Sequence, residues 1–333
     1  MIEQVGERIK ARIAIREFEG KKILITGASG LMGINLAYTL ANSNGGSNLS
    51  LISNSMPQYL LSNNLSNARI YKRNLLDADA LRDLPSFDVI IHAATYAQPT
   101  KFMADPSATV LLNSSTIVEL FRKIELGGSF IFLSSSEVYG STVDNVFTEE
   151  TPLQIDQNNP RACYTTSKVI GELIVRELSN LKEVNGISFR LSSVFGPGVK
   201  RGDTRVMSQL IDRALTKNSI ELLDDGSTLR TFCYIEDAIS LMLNSVIHPK
   251  FRLLNIGGNS ETTILDLANL IGQRLNVPVL PGKNSDGIQG APKKVLISSS
   301  KAKSIFDNFS YADFGFGLEE TVRWHKSVLN ESS

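Results

Sequence analysis

Short apolar runs and longer mixed segments alternate along the first two thirds of the chain. The apolar runs fall at 22–26, 49–53, 89–93, 130–134 and 187–191. Between them, 31–41, 106–123 and 162–181 carry apolar positions at helical spacing. Short apolar runs bounded by turn residues read as buried strands, and the longer periodic segments read as helices. Their alternation predicts an α/β fold with a parallel sheet covered on both faces. Ile2, Val5, Ile9 and Ile13 stand at near-helical spacing among charges, which predicts a short amphipathic helix within residues 1–20, docked on the body. After about Phe195 the pattern changes. Helical segments at 206–216, 235–245 and 264–275 are separated by loops rich in Gly, Asp and Asn. Residues 21–195 thus read as the sheet domain. Residues 196–333 read as a smaller lobe, built mainly after the sheet is complete. The Gly- and Pro-bearing stretch 281–294 reads as a surface loop.

Composition narrows the class. The chain has 333 residues, 42% of them hydrophobic, with 24 Gly and 11 Pro. A disordered chain is excluded. Lys+Arg and Asp+Glu each number 34, so no net positive charge marks a nucleic-acid binder. Cys163 and Cys233 alone make neither a disulfide framework nor a zinc cage, and no metal is expected. No apolar run is long enough to span a bilayer. The opening MIEQVGERIKARIAIREFEG lacks the apolar core of a secretory leader. The expectation is a soluble, reduced, cytoplasmic protein.

The first apolar run leads into Gly27-Ala28-Ser29-Gly30-Leu31-Met32-Gly33 and then a helix. Glycines here permit a tight turn and close approach of backbone to a pyrophosphate, which the helix N-terminus attracts. Gly27, Ser29, Gly30, Leu31, Met32 and Gly33 are therefore candidate dinucleotide contacts. Such folds place Asp or Glu at the end of the second strand, about 20 residues on, to hold the adenosine ribose. This chain has Ser53 there, and no acidic residue between Glu19 and Asp77. Nor is there Lys or Arg between Lys22 and Arg69, so a 2′-phosphate has no local partner. The cofactor expected is NAD, with NADP left open.

Tyr164 and Lys168 stand four apart, on one face of the 162–181 helix. A phenol's ordinary pKa, near 10, is too high for a base at neutral pH. A nearby ammonium favours the phenolate and lowers it. Tyr164 could then move a hydroxyl proton while hydride moves to or from the cofactor. The fourth run ends Phe132-Leu133-Ser134-Ser135-Ser136-Glu137-Val138-Tyr139-Gly140. Ligands of doubly wound sheets sit at the carboxyl ends of strands, where this polar cluster falls.

Glycine turn, serine cluster and Tyr-x-x-x-Lys, in that order, resemble an extended short-chain dehydrogenase/reductase. The type is the NAD-dependent epimerase/dehydratase acting on nucleotide sugars. The resemblance covers roughly residues 20–328 and implies a Rossmann-type doubly wound parallel sheet with a smaller C-terminal substrate lobe. Gly27, Gly30 and Gly33 match its glycine pattern, and Ser135, Tyr164 and Lys168 its catalytic set. The run from Arg190 to Pro197 resembles its Arg-x-x-Asn-x-x-Gly-Pro. The stretch around Arg230 resembles the segment that holds the nucleotide diphosphate. The resemblance implies cofactor contacts at Ser53, Asn74, Leu75, Ala93, Ala94 and Thr95, together with Tyr164 and Lys168. It implies substrate contacts at Thr95, Ser193, Arg205 and Arg230. It also implies a homodimer, paired through a four-helix bundle by the helices at 106–123 and 162–181.

Ser135-Ser136-Glu137 resembles the run in UDP-glucuronate decarboxylases and GDP-mannose 4,6-dehydratases. The stretches 92–106 and 160–164 resemble the decarboxylases further. A decarboxylase reading adds Ser136 and Glu137 to the catalytic set, for proton traffic near C5 and C6. A 4,6-dehydratase, a 4-epimerase and a non-catalytic nucleotide-binding protein of the same fold are the alternatives. His92 reads as structural. The departures from the family pattern are Ser53 and Asn74 for its cofactor-side Asp residues, Ser193 for its substrate Asn, and Gly198 for the Arg of decarboxylases. Lys200, Arg201 and Arg205 follow Gly198 closely.

Overall fold

The computed structural model describes residues 1–41, 48–61, 65–140, 146–282, 292–306 and 308–330. Helix α1 (Ile2–Lys10) precedes β1 (Ile23–Thr26), α2 (Leu31–Ala41), β2 (Leu49–Ser53), β3 (Arg69–Lys72) and β4 (Phe87–His92). Three short helices follow, α3 (Pro99–Ala104), α4 (Pro106–Leu112) and α5 (Ser115–Phe121). Then come β5 (Ile124–Ser135), α6 (Ala162–Lys182), β6 (Asn185–Leu191) and β7 (Ser193–Phe195). The remainder contains α7 (Val206–Lys217), β8 (Ile220–Glu221), β9 (Leu229–Tyr234), α8 (Ile235–Ile247), β10 (Leu253–Ile256) and β11 (Ser260–Thr263). It ends with α9 (Ile264–Leu275), β12 (Val279–Leu280), β13 (Lys294–Val295), α10 (Ser300–Lys303) and α11 (Phe314–Asn330).

Seven strands form one parallel sheet in the order β10-β6-β5-β4-β1-β2-β3. This is the Rossmann-like α/β architecture expected. Successive strand residues point to opposite faces, so each apolar run feeds two cores. Ile23, Ile25, Val89, Ile91, Ile131 and Leu133 pack on one side with α2 and α8. Leu24, Ile90, Phe130 and Phe132 pack on the other with Ile117 of α5 and Val175 of α6. The chain leaves β1 toward β2 on one side, and β4 flanks β1 on the other. That reversal opens a crevice beyond the carboxyl ends of β1 and β4.

The sheet is not complete by residue 195. Strand β10 returns after α8 to pair with β6 at the sheet's edge, from Leu253↔Ser188 to Ile256↔Leu191. Its few residues sit between loops, and the apolar pattern alone gave no sign of it. The single helix expected at 106–123 is two helices, α4 and α5, which break at Asn113 and Ser114. A small second sheet joins β11, β9 and β13, with β7 also paired to β9. Of the expected surface loop 281–294, residues 283–291 lie outside the described residues.

Helix α1 docks as its spacing predicts. Ile2, Val5 and Ile9 are buried, and Gly6 packs against the backbone of Tyr38 and Thr39 in α2. Its far end is fixed by charge. Arg8 pairs with the buried Glu236, and Arg12 with the buried Asp237 at 2.8 Å, both at the start of α8. Among the described residues, no helix is long and apolar enough to cross a membrane.

Candidate active site

The glycine turn lies at the crevice. Gly27 has φ +69°, and a Cβ there would come within 2.7 Å of the Ala94 backbone. A Cβ on Gly33 would come within 2.3 Å of the Gly27 carbonyl. The first glycine thus lets the turn pass against the end of β4, and the third lets α2 start tight against the turn. Gly30 is less constrained, with only Gly27 O at 3.4 Å. Leu31 is buried beneath the turn, and Met32 is half-buried. Beyond β4, the Ala93 amide donates to Thr26 O at 3.2 Å and the Ala94 amide to Thr26 Oγ1 at 3.4 Å. The Thr95 hydroxyl, one residue beyond Ala94, is buried without a hydrogen-bond partner among the described residues. A cradle that admits no Cβ and an orphaned hydroxyl fit a bound dinucleotide.

His92 is structural. It lies between Thr26 Oγ1 and Leu112 O, each at 2.8 Å. Burial pulls its pKa down to about 4, so the ring is neutral.

The polar cluster gathers at the end of β5. Ser135 Oγ accepts from the Glu137 amide at 3.2 Å, which starts a short turn containing the buried Ser136. Tyr164 is buried and stacks on Phe102 of α3, with ring centroids 4.5 Å apart and planes 9° apart. Lys168 is fully enclosed one turn along α6. Its ammonium donates to Leu133 O at 2.6 Å and Asn113 Oδ1 at 3.1 Å.

The electrostatics differ from the sequence expectation. Burial, joined by the Glu137 carboxylate, pushes the Tyr164 phenol above its ordinary range. Ser135, Arg161 and Arg205 oppose this without reversing it. The ammonium expected to lower that pKa is instead turned toward Leu133 and Asn113. Its own pKa falls to about 7, because desolvation outweighs the attraction of Glu172. Without a bound cation, the phenol therefore keeps its proton.

Two neighbours escaped the sequence reading. Asn113 sits at the α4–α5 break, where its Nδ2 donates to Thr109 O and Ser167 Oγ, each at 3.0 Å. Arg161 grips both carboxylate oxygens of Glu137, at 2.9 and 2.5 Å, and lies over the Phe102 ring. A bidentate guanidinium fixes a carboxylate's orientation as well as its charge. Asn113 lies 55 residues from Lys168 and Arg161 lies 24 from Glu137, so no helical spacing links either pair.

The substrate side is more dispersed. Arg205 pairs with the buried Asp203 at 2.8 Å, and Asp203 also accepts from Gln98 Nε2 at 3.0 Å. These bonds tie the loop before α7 to the segment before α3. Arg230, on β9, donates to Leu229 O and Pro292 O and has no carboxylate partner among the described residues. Burial and the nearby Arg161 charge pull its pKa down to about 10, against the pull of Glu137. Ser193 opens β7, opposite Phe232 of β9, and its neighbour Ser192 has a buried hydroxyl with no partner among the described residues. Asn74 follows β3 and accepts from the Leu76 amide at 3.2 Å, and Leu75 packs in the core beneath.

At the far end of the crevice, Ser53 is buried. Its Oγ lies 2.6 Å from both Ser29 Oγ and Ser55 O. Lys200 reaches the same cluster from the loop after β7. A cation there was not legible from the residues flanking β2.

Comparison with known proteins follows this geometry. Residues 23–257 match the NAD dependent epimerase/dehydratase family. A dTDP-4-dehydro-6-deoxy-D-allose reductase from a Streptomyces species is 28% identical over 320 residues, 92% of this chain and 97% of that protein. UDP-glucuronic acid decarboxylase 1 of Danio rerio is 26% identical over 336 residues, 96% of this chain and 76% of that protein. A solved epimerase structure from Methanothermobacter thermautotrophicus superposes with a TM-score of 0.81 at 24% identity, covering 97% of this chain and 96% of that one. The matched segment carries the glycine turn, the serine cluster and the Tyr164–Lys168 pair on an NAD-binding fold. The chain belongs to the NAD-dependent epimerase/dehydratase family, whose members modify nucleotide sugars with NAD as cofactor.

Proposed function

We propose that this protein exchanges hydride at C4 of a nucleotide sugar, with Tyr164 carrying the hydroxyl proton. One observation carries the reading: Lys168 Nζ bonds Leu133 O near the end of β5, where Ser135 lies, and stands 5.9 Å from the Tyr164 ring centroid, on a fold whose cradle admits no Cβ at Gly27. The bound dinucleotide supplies the hydride acceptor or donor at that carbon. Ser135 positions the substrate oxygen beside the phenol. Lys168, held by Leu133 O and Asn113 on the same helix as Tyr164, supplies a positive charge in its protonated form. Arg230, a half-buried cation without a carboxylate partner among the described residues, suits the diphosphate.

The substrate we favour is UDP-glucuronate. With C4 oxidised, its C6 carboxylate stands β to a ketone. The C5–C6 bond then breaks, carbon dioxide leaves, and the electron pair becomes an enolate whose oxygen Ser135 and Tyr164 stabilise. A proton returns to C5, with Glu137 and Ser136 placed to position the ring and assist. The fixed Glu137–Arg161 pair supports this, as do decarboxylases among the relatives. A second reading is reduction of a 4-keto nucleotide sugar, favoured by the reductases among the relatives. It needs only Ser135, Tyr164 and Lys168.

Mass spectrometry of a reaction with UDP-glucuronate and NAD tests the choice. A product lighter by carbon dioxide establishes decarboxylation followed by reduction. A product lighter also by two hydrogens means that the 4-keto pentose leaves. An unchanged substrate, with a 4-keto deoxyhexose nucleotide reduced instead in a parallel reaction that supplies NADH or NADPH, moves the assignment to reduction. The family resemblance implies a homodimer, which we also propose. Leu111 of α4 and Ile170 and Leu173 of α6 are exposed apolar residues that pairing of these helices would cover.

A further inference from the structure

An adenosine ribose with a free 2′-hydroxyl is usually met by a carboxylate at the end of the second strand, and a 2′-phosphate by a cation nearby. Here the end of β2 offers hydroxyls and a cation. Ser53 Oγ lies 2.6 Å from Ser29 Oγ, which lies 3.0 Å from Ser55 Oγ. Lys200 Nζ donates to Ser29 Oγ at 2.8 Å and to Ser55 Oγ at 2.7 Å. Among the described residues no carboxylate pairs with Lys200. The half-buried ammonium is met only by neutral oxygens. Burial and the nearby Lys101 charge both press its pKa downward, a cost that an arriving phosphate would reverse.

The lysine is presented by a clamped loop. Asn35 of α2 donates to Pro197 O at 2.8 Å, and the Trp324 indole donates to Val199 O at 2.7 Å. Gly198 between them has φ +106°, and a Cβ there would come within 2.8 Å of Asn35 Nδ2. The loop therefore lies directly on the start of the dinucleotide helix, and Lys200 extends from it over the glycine turn. Ser29 is in that turn and Ser53 ends β2, so the cluster marks the ribose side of the cofactor cradle.

We propose that Ser29, Ser53, Ser55 and Lys200 form a seat for the 2′-phosphate of NADP(H), so that this chain holds the phosphorylated dinucleotide more tightly than NAD(H). The proposal rests on the dinucleotide reading of the cradle. A phosphate brings three acceptor oxygens to three hydroxyls and one ammonium, and the charge-assisted bond to Lys200 is the strongest of these.

Binding, measured without turnover, tests this. NADPH and NADH are titrated by their own fluorescence, and 2′,5′-ADP and 5′-AMP by calorimetry. The phosphorylated member of each pair should bind at least roughly tenfold tighter, the worth of one charge-assisted hydrogen bond. Lys200→Gln should bring each pair to similar affinity. Equal or tighter binding of NADH and 5′-AMP by the wild type overturns the proposal, as does an intact preference in Lys200→Gln. If Lys200→Gln unfolds, Ser55→Ala should narrow the preference, and an undiminished preference there also counts against the seat. Failure of all four ligands to bind removes the dinucleotide site itself, a result distinct from binding without preference.

Discussion

Lys168 Nζ donates to Asn113 Oδ1 at 3.1 Å, joining the middle of α6 to the break between α4 and α5. The same amide donates to Ser167 Oγ. Asn113 thus holds the Lys168 ammonium from the position where α4 gives way to α5. Its replacement by Ala should lower kcat by up to about 100-fold, the lower range for a displaced general base. A positioning role also moves the pH dependence of kcat. A profile of unchanged shape would reduce Asn113 to a packing residue.

Tyr164→Phe should reduce turnover by roughly 10²–10⁴-fold, the usual share of proton transfer. The phenyl ring can keep its stack on Phe102, so the protein should fold and bind nucleotide sugar as before. Turnover close to wild type would assign the proton to another group.

Lys168 makes stability depend on pH. Its folded-state pKa is about 7, against an ordinary 10.5. Below the folded value both states are protonated, and burying the ammonium carries its full cost. Between the two values the unfolded chain holds a proton that the folded chain lacks, so stability rises with pH. In urea unfolding without ligand, the wild type should gain on Lys168→Met between about pH 6.5 and about pH 9.5. A difference constant across that range would mean that the ammonium stays charged in the fold.

Gly198→Ala places a Cβ against Asn35 and Ile34 at a backbone angle that L-residues rarely adopt. It should cost about 1–3 kcal/mol in a denaturant titration. It should also displace the loop that carries Lys200. A stability equal to wild type would show that the loop can move away from α2 freely.

How much was legible in advance differs between features. β1, α2 and β2 follow from local pattern, because strand alternation, helical periodicity and glycine turns are set within a few residues. α4 and α5 were read as one helix, since the break depends on Asn113 meeting a lysine from another segment. Strand β10 was missed because its pairing partner, β6, is fixed by the fold and not by its own few residues.

By itself, the sequence determined the alternating α/β order, the glycine turn and the Tyr164–Lys168 spacing on one helix face. These are short-range properties, enforced by steric limits and by the helix repeat. Only the tertiary structure decided that Arg161 grips Glu137, that Asn113 and Leu133 hold Lys168, and that Lys200 closes on Ser29 and Ser55. The latter contacts span 171 and 145 residues. No local pattern encodes such a meeting, because it arises from how β2, α2 and the loop after β7 stack on the same end of the sheet.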